Sequence, residues 1–134
     1  MRKYFADAWF FIALFDRRDS HHQRASRLVS RIPALDMVTH DAVFTEVLAY
    51  FSEEGVAMRQ NAVQRVRNAL RMAQTLPADR NLFLLGLDRY AARPDKEYSL
   101  VDCMSMVLME QRGIRHVLTN DHHFAQAGFV VVSE

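Results

Sequence analysis

Short apolar runs alternate along the chain with longer segments whose apolar residues recur at helical spacing. The short runs predict β-strands and the longer segments predict α-helices. The predicted strands are residues 3–7, 35–40, 81–86, 116–119 and 129–132. The predicted helices are residues 8–15, 21–31, 41–52, 56–75, 87–93 and 99–112. Because strands and helices alternate, the pattern predicts an α/β fold with a parallel sheet covered by helices on both faces.

Prolines and glycines support the predicted helix ends. Pro33 and Pro94 follow two of the helices, and Gly113 is placed to cap the helix 99–112 at its carboxyl end. The sequence has no internal repeat and no linker rich in proline and glycine. At 134 residues, it is most simply a single domain spanning residues 1–134.

Composition narrows the function classes. The formal net charge is +1, so a strongly basic surface for nucleic acid is not expected from the total charge. Cys103 is the single cysteine, which excludes an intrachain disulfide and a cysteine-based zinc site. The apolar start of the chain superficially resembles a signal peptide, but Asp7 interrupts it and the charged residues 16–19 follow. We therefore expect a cytoplasmic protein with no membrane association.

Four acidic residues fall where the predicted topology brings distant parts of the chain to one edge of the sheet. Asp7 ends the first strand and Asp121 follows the strand 116–119, while Glu46 and Asp102 lie in the first two turns of helices that begin at that edge. Gathered carboxylates repel one another unless a cation lies among them. Oxygen ligands of this kind suit Mg²⁺ or Mn²⁺, which can activate water for attack on a phosphodiester. The pattern favours metal-dependent phosphodiester hydrolysis.

Three of these acids also fit a purely structural role. Asp7 and Asp121 are each placed to cap a following helix, and Asp102 completes the capping-box pattern SLVD. Glu46 lies beyond the turn in which a helix dipole favours an acid. The neighbouring His122 and His123 do not have the spacing of zinc ligands, because adjacent side chains point in different directions. We interpret them as exposed or as ordering the loop after Asp121.

Four segments together resemble the motifs of the PIN-domain ribonucleases, which include the VapC-type toxins of toxin–antitoxin pairs. They are FADAWFFIALFDRRDSHH, TEVLAYF, YSLVDCMSMVLMEQRGI and LTNDHHFAQAGF, in this order along nearly the whole chain. The resemblance implies a three-layer α/β/α sandwich with a parallel sheet in the order 3-2-1-4-5. It also implies an endoribonuclease dependent on Mg²⁺ or Mn²⁺, with RNA as substrate, a small antitoxin as partner and a homodimer as the assembly.

Carried over residue by residue, the resemblance makes four acids both the metal ligands and the catalytic residues: Asp7, Glu46, Asp102 and Asp121. The sequence departs from the family after the first of them. There the family usually has a small residue and then a serine, whereas this chain has Ala8 and Trp9. A hydroxyl that often supports the metal or the phosphate is therefore missing.

Other functions fit the pattern less well. A phosphoacceptor domain needs a lysine near the end of its last strands, and neither Lys3 nor Lys96 lies there. A catalytically silent RNA- or protein-binding module and a housekeeping RNA-processing nuclease are compatible with the same fold. In the predicted helix 56–75, Arg65, Arg67 and Arg71 fit either an RNA groove or a solvated helix face. Arg59 lies near the apolar stripe of that helix and fits a contact with the acidic edge or with a partner.

Overall fold

The structure of the protein, a computed structural model, describes residues 2–133. The strands are β1 (Tyr4–Ala6), β2 (Met37–His40), β3 (Gln74–Leu76), β4 (His116–Leu118) and β5 (Val130–Val131). The helices are α1 (Ala8–Phe15), α2 (His22–Arg31), α3 (Asp41–Phe51), α4 (Val56–Met72), α5 (Arg80–Ala92), α6 (Leu100–Arg112) and α7 (His123–Gln126). A 3₁₀ turn, Ala34–Asp36, precedes β2.

All five strands run parallel in one sheet, in the order β3-β2-β1-β4-β5. The sheet order and the α/β fold class predicted in the sequence analysis are confirmed. All four residues of β2 are buried, which requires cover on both faces of the sheet. The helices supply that cover in two groups, one in which α1 contacts α2 and α3, and another in which α5 packs on α6.

The first strand and the helix after it form the centre of the domain. Phe5 and Ala6 are completely buried, and most of the apolar helix α1 is buried as well. The backbone N–H of Asp7 donates to the carbonyl of Leu118, so the ends of β1 and β4 are joined at one point. Asp7 therefore stands at the middle of the carboxyl edge of the sheet.

The prediction of a strand at residues 81–86 is wrong. This run lies inside α5. The third strand is Gln74–Leu76, which overlaps the end of the predicted helix 56–75, because that helix stops at Met72. A short apolar run does not by its periodicity distinguish a strand from a buried helical segment. Two contacts decide for a helix: the Asp79 carboxylate accepts a hydrogen bond from the Leu82 N–H, and Gly86 lies so close to Met104 that an added Cβ would overlap it.

Within residues 2–133, no helix has the length and apolar character needed to cross a membrane.

Candidate active site

The four acids predicted from the sequence meet at the carboxyl edge of the sheet. Asp7 directly follows β1, and Asp121 is separated from β4 by two residues. Glu46 lies in the second turn of α3, and Asp102 lies in the first turn of α6. Asp7 and Asp102 are buried, whereas Glu46 and Asp121 are partly exposed. The groups interact electrostatically: Asp102 and Glu46 act on Asp7, and Asp102 and Asp121 act on Glu46. The structure thus brings together residues that are more than a hundred positions apart.

Asp7 is the most deeply buried of the four, with 2% of its surface exposed. Burial, as the largest cause, and the negative charge of Asp102 together raise the pKa of its carboxyl to about 7. The Thr119 hydroxyl opposes this shift by donating to Asp7 Oδ2 at 2.9 Å. Asp7 occupies the N-cap position of α1 but makes no side-chain capping bond, so its carboxylate is free to face the other acids.

The pKa of Glu46 is also raised to about 7, first by burial and then by the charges of Asp102 and Asp121. Burial raises the pKa of Asp102 as well, although hydrogen bonds from the Ser99 N–H and from His123 act against that rise. Perturbed carboxyls that share one edge of a sheet are typical of a functional site, because the stability of the fold alone does not require them.

Asp102 caps α6 and also faces the other acids. The Ser99 hydroxyl accepts from the Asp102 N–H at 3.0 Å, and Asp102 Oδ2 accepts from the Ser99 N–H at 3.1 Å, which completes a capping box. The same Oδ2 lies 3.1 Å from His123 Nδ1, on the side of the other acids. The capping box therefore fixes the rotamer of a carboxylate that also faces the site.

His123 lies between two of the acids. Its Nδ1 is 3.1 Å from Asp102 Oδ2 and 3.2 Å from Asp121 Oδ2, and its ring meets the ring of Tyr98 edge to face. Asp121 does not cap α7 from the N-cap position, which His122 occupies, but its Oδ1 accepts from the His123 N–H at 2.9 Å. The neighbouring His122 has a side chain that is 75% exposed.

Sequence reasoning missed two contributors to the site, His123 and Thr119. The argument that adjacent histidines point apart was correct, but its consequence is that one of them faces solvent and the other faces the acids. The Thr119 hydroxyl binds Asp7 and accepts from the Asp121 N–H at 3.0 Å, so one side chain orients two of the acids. Its signal in the sequence was a polar residue directly after a buried apolar strand.

The donor set fits a divalent cation. One ligand atom from each of Asp102, Asp121 and His123 lies within 4.8 Å of the other two. The separations of His123 Nδ1 from the two carboxylates, 3.1 and 3.2 Å, are hydrogen-bond distances, so His123 holds Asp102 and Asp121 together in the absence of an ion. The two remaining acids, Asp7 and Glu46, add carboxylates whose raised pKa reflects burial and mutual repulsion, both of which a cation would relieve.

Three of the four arginines of α4 contact groups other than the four acids. Arg59 donates to the Ser52 carbonyl at 2.9 Å, Arg65 lies over the ring of Phe15 at 5.5 Å, and Arg71 donates to the Asn68 side chain. These contacts favour the interpretation of α4 as a solvated helix that packs on α1 and α3.

Residues 4–130 match the family model described as the PIN domain. The chain belongs to the PIN-domain family. The resemblance noted in the four sequence motifs is thereby confirmed.

Two comparisons point to the same relative. The chain is 29% identical over 136 residues to the 23S rRNA-specific endonuclease VapC20 of Mycobacterium tuberculosis, with 96% of each chain covered. It is also similar to the crystal structure of M. tuberculosis VapC20, described as a sarcin–ricin loop cleaving toxin, with a TM-score of 0.89 and 26% identity over 98% of this chain and 100% of that one.

A more distant likeness extends to a toxin–antitoxin complex. The DNA-bound VapBC structure from Salmonella typhimurium has a TM-score of 0.68 and 16% identity, with 98% of each chain covered. At that identity, the likeness shows the shared fold and nothing finer.

Proposed function

We propose that this protein is a metal-dependent endoribonuclease that acts as the toxin of a toxin–antitoxin pair. One observation carries the proposal: on a PIN domain, buried Asp7 and Asp102 share the carboxyl edge of the sheet with Glu46 and Asp121. The similarity to VapC20 over nearly the whole length of both chains supports ribonuclease activity and the toxin role.

The four acids would hold one or two ions of Mg²⁺ or Mn²⁺, with Asp102 and Asp121 contributing together with His123. A bound ion of this kind supplies a water activated for attack and neutralises charge on the phosphodiester. The protein's own residues prepare the site. Thr119 and Ser99 fix the rotamers of Asp7 and Asp102, so the carboxylates are oriented before substrate arrives.

The substrate that we propose first is 23S rRNA, because VapC20 is described as specific for it. We also propose a cognate antitoxin that blocks the acidic site and a homodimer as the assembly, both implied by the family resemblance. A housekeeping nuclease would use the same residues. The toxin role and the housekeeping role differ in whether expression of the protein arrests cell growth.

Cleavage of 23S rRNA in intact ribosomes tests the proposal. The wild-type chain is incubated with Mg²⁺, with Mn²⁺ and with a chelator, beside Glu46→Gln and the matched control Glu110→Gln. Glu110 is a surface acid bound to Arg89, outside the site. We expect cleavage with either ion and none with chelator, loss of at least about 100-fold in Glu46→Gln, and no change in Glu110→Gln.

Each failure has a distinct meaning. Equal cleavage by Glu46→Gln and wild type would contradict the assignment of the acidic site. Cleavage in the presence of chelator would contradict the proposed metal dependence. Absence of cleavage by the wild-type chain would favour the silent binding module. For the toxin role, expression of the wild-type chain should arrest growth and expression of Glu46→Gln should not; unchanged growth with active enzyme favours the housekeeping role.

A further inference from the structure

Two exposed aromatic side chains touch each other beside the acidic site. Trp9 on α1 is 45% exposed and Tyr50 on α3 is 40% exposed. Their ring centroids lie 6.3 Å apart at an interplanar angle of 71°. Large apolar side chains that are singly exposed are ordinary. Here two helices each contribute one ring to a common exposed surface.

The position of this aromatic pair relates it to the acids. Trp9 is the second residue of α1, the helix for which Asp7 is the N-cap. Tyr50 follows Glu46 by four residues on α3. The side chains of Glu46 and Tyr50 therefore lie on the same face of that helix, about 6 Å apart along its axis. The pair thus joins α1 and α3, the two helices whose residues follow Asp7 and include Glu46.

The charges around Tyr50 limit what the pair can bind. The pKa of the Tyr50 hydroxyl is raised by partial burial and then by the carboxylates of Asp16, Glu54 and Asp19. Arg18, the cation in this group, is already bound to Asp16 and Glu54. A phosphate would be repelled at this end of the pair. An uncharged aromatic ring would not be repelled.

We propose that Trp9 and Tyr50 form a stacking platform for one unpaired base of the RNA, next to the phosphodiester that the acidic site holds. The inference rests on the proposed ribonuclease function, because it takes RNA as the molecule that reaches this surface. Bases splayed out of single-stranded loops stack on aromatic side chains, whereas bases inside a duplex are already stacked. The platform thus selects a single-stranded or looped segment, and it tolerates different bases.

Fluorescence tests this directly, because Trp9 is the only tryptophan of the chain. The full-length protein is titrated in chelator, so that cleavage is suppressed, with a mixed-sequence single-stranded oligoribonucleotide of about twelve nucleotides. We expect saturable quenching of Trp9. A blunt duplex of the same sequence should leave the fluorescence nearly unchanged, and abasic positions along the strand should reduce the quenching.

Variants separate stacking from mere proximity. Tyr50→Ala should weaken oligonucleotide binding roughly ten-fold, and Tyr50→Phe, which keeps the ring, should bind like wild type. The matched control is Phe83→Ala on α5, which removes a ring that is 38% exposed. Its neighbour Leu82 lines a cleft with Leu108 and Arg112, at the end of α6 opposite to Asp102. Phe83→Ala should have no effect. In the cleavage assay, Trp9→Ala should raise KM with little change in kcat.

Two results overturn the stacking platform. One is equal binding of the single strand by wild type, Tyr50→Ala and Phe83→Ala. The other is unchanged Trp9 fluorescence with RNA while a co-expressed antitoxin shields Trp9 from acrylamide, which would make the pair a protein contact. Both readouts are taken without metal. A protein that fails to cleave RNA but shows base-dependent quenching therefore contradicts the nuclease proposal and supports the platform.

Discussion

The two ends of helix α1 each carry a buried aspartate, and the two carboxyls behave in opposite ways. Asp7 precedes the helix and Asp16 follows it, with 2% and 3% of their surfaces exposed. The helix dipole favours a negative charge at the amino end and disfavours it at the carboxyl end. Yet the pKa is raised to about 7 for Asp7 and lowered for Asp16.

Neighbouring charges explain the reversal. Asp16 accepts from Arg18 Nε at 3.0 Å and from Arg18 Nη2 at 3.2 Å, a bidentate pair that stabilises its charge. Asp7 has a hydroxyl partner and faces other carboxylates instead. A buried acid that carries its own cation serves the fold. A buried acid without one leaves its charge available to a cation from solution.

The largest expected effect is on the rate of RNA cleavage, which should depend on Asp7 and not on Asp16. Asp7→Asn should lower RNA cleavage by about 10²–10³-fold, because a metal ligand or charge is lost from the site. Asp16→Asn should leave cleavage per folded molecule within about two-fold of wild type and lower the free energy of unfolding by about 1–2 kcal/mol, through a weakened bond to Arg18. The measurements are RNA cleavage rate and urea denaturation.

The opposite pattern, with a slow Asp16→Asn and an active Asp7→Asn, would show that the two ends of α1 have been assigned the wrong way round.

The second prediction concerns the pH dependence of stability in the metal-free protein. The folded-state pKa of Asp7 is raised from 3.8 to about 7, so the folded state binds this proton more tightly than the unfolded state does. Stability contributed by the protonated carboxyl is present below about pH 4 and is lost as the pH rises to about 7. Asp7→Asn should remove this loss and exceed wild type by about 2–4 kcal/mol at pH 8.

The pH dependence of the stability that Asp16 contributes should have the opposite sign. Its pKa is lowered on folding, so its stabilisation is present above the unfolded pKa of 3.8 and is lost as the pH falls through the folded value. The destabilisation in Asp16→Asn should therefore shrink at the acid end of the range. Urea unfolding from pH 3 to pH 8 in chelator checks both signs, and parallel pH curves for all three proteins would contradict the electrostatic comparison.

The smallest expected effect concerns the basic side chains that contact the acids in this comparison. At the acidic site the basic side chain is His123, an imidazole between Asp102 and Asp121. His123→Asn should weaken Mn²⁺ binding by about ten-fold, because a nitrogen ligand or the group that orients two carboxylates is lost. His122→Asn should not change it, since that side chain is 75% exposed. Calorimetric titration with Mn²⁺ measures the effect.

Equal Mn²⁺ affinity in the two histidine variants would remove His123 from the site and leave the acids as the whole donor set.

The sequence predicted most elements because their patterns are local. The apolar helix after Asp7, the capping box at Ser99 and the glycine cap at Gly113 all form as expected. The failure at residues 81–86 arose because that run is too short for its period to be diagnostic, and because packing of Gly86 on Met104 decides its structure. The true third strand, Gln74–Leu76, is short and lies at the edge of the sheet, so it carries little apolar signal.

The sequence by itself determined the fold class and the placement of the four acids at the carboxyl edge of the sheet. Local patterns of apolar and polar residues are enough to predict where strands end and helices begin. Only the tertiary structure decided which neighbours each acid meets. Thr119 reaches Asp7 across 112 positions, and His123 reaches Asp102 across 21. The pKa of a buried carboxyl depends on such neighbours, and the same residue type at the two ends of α1 therefore becomes part of a candidate active site or part of a salt bridge.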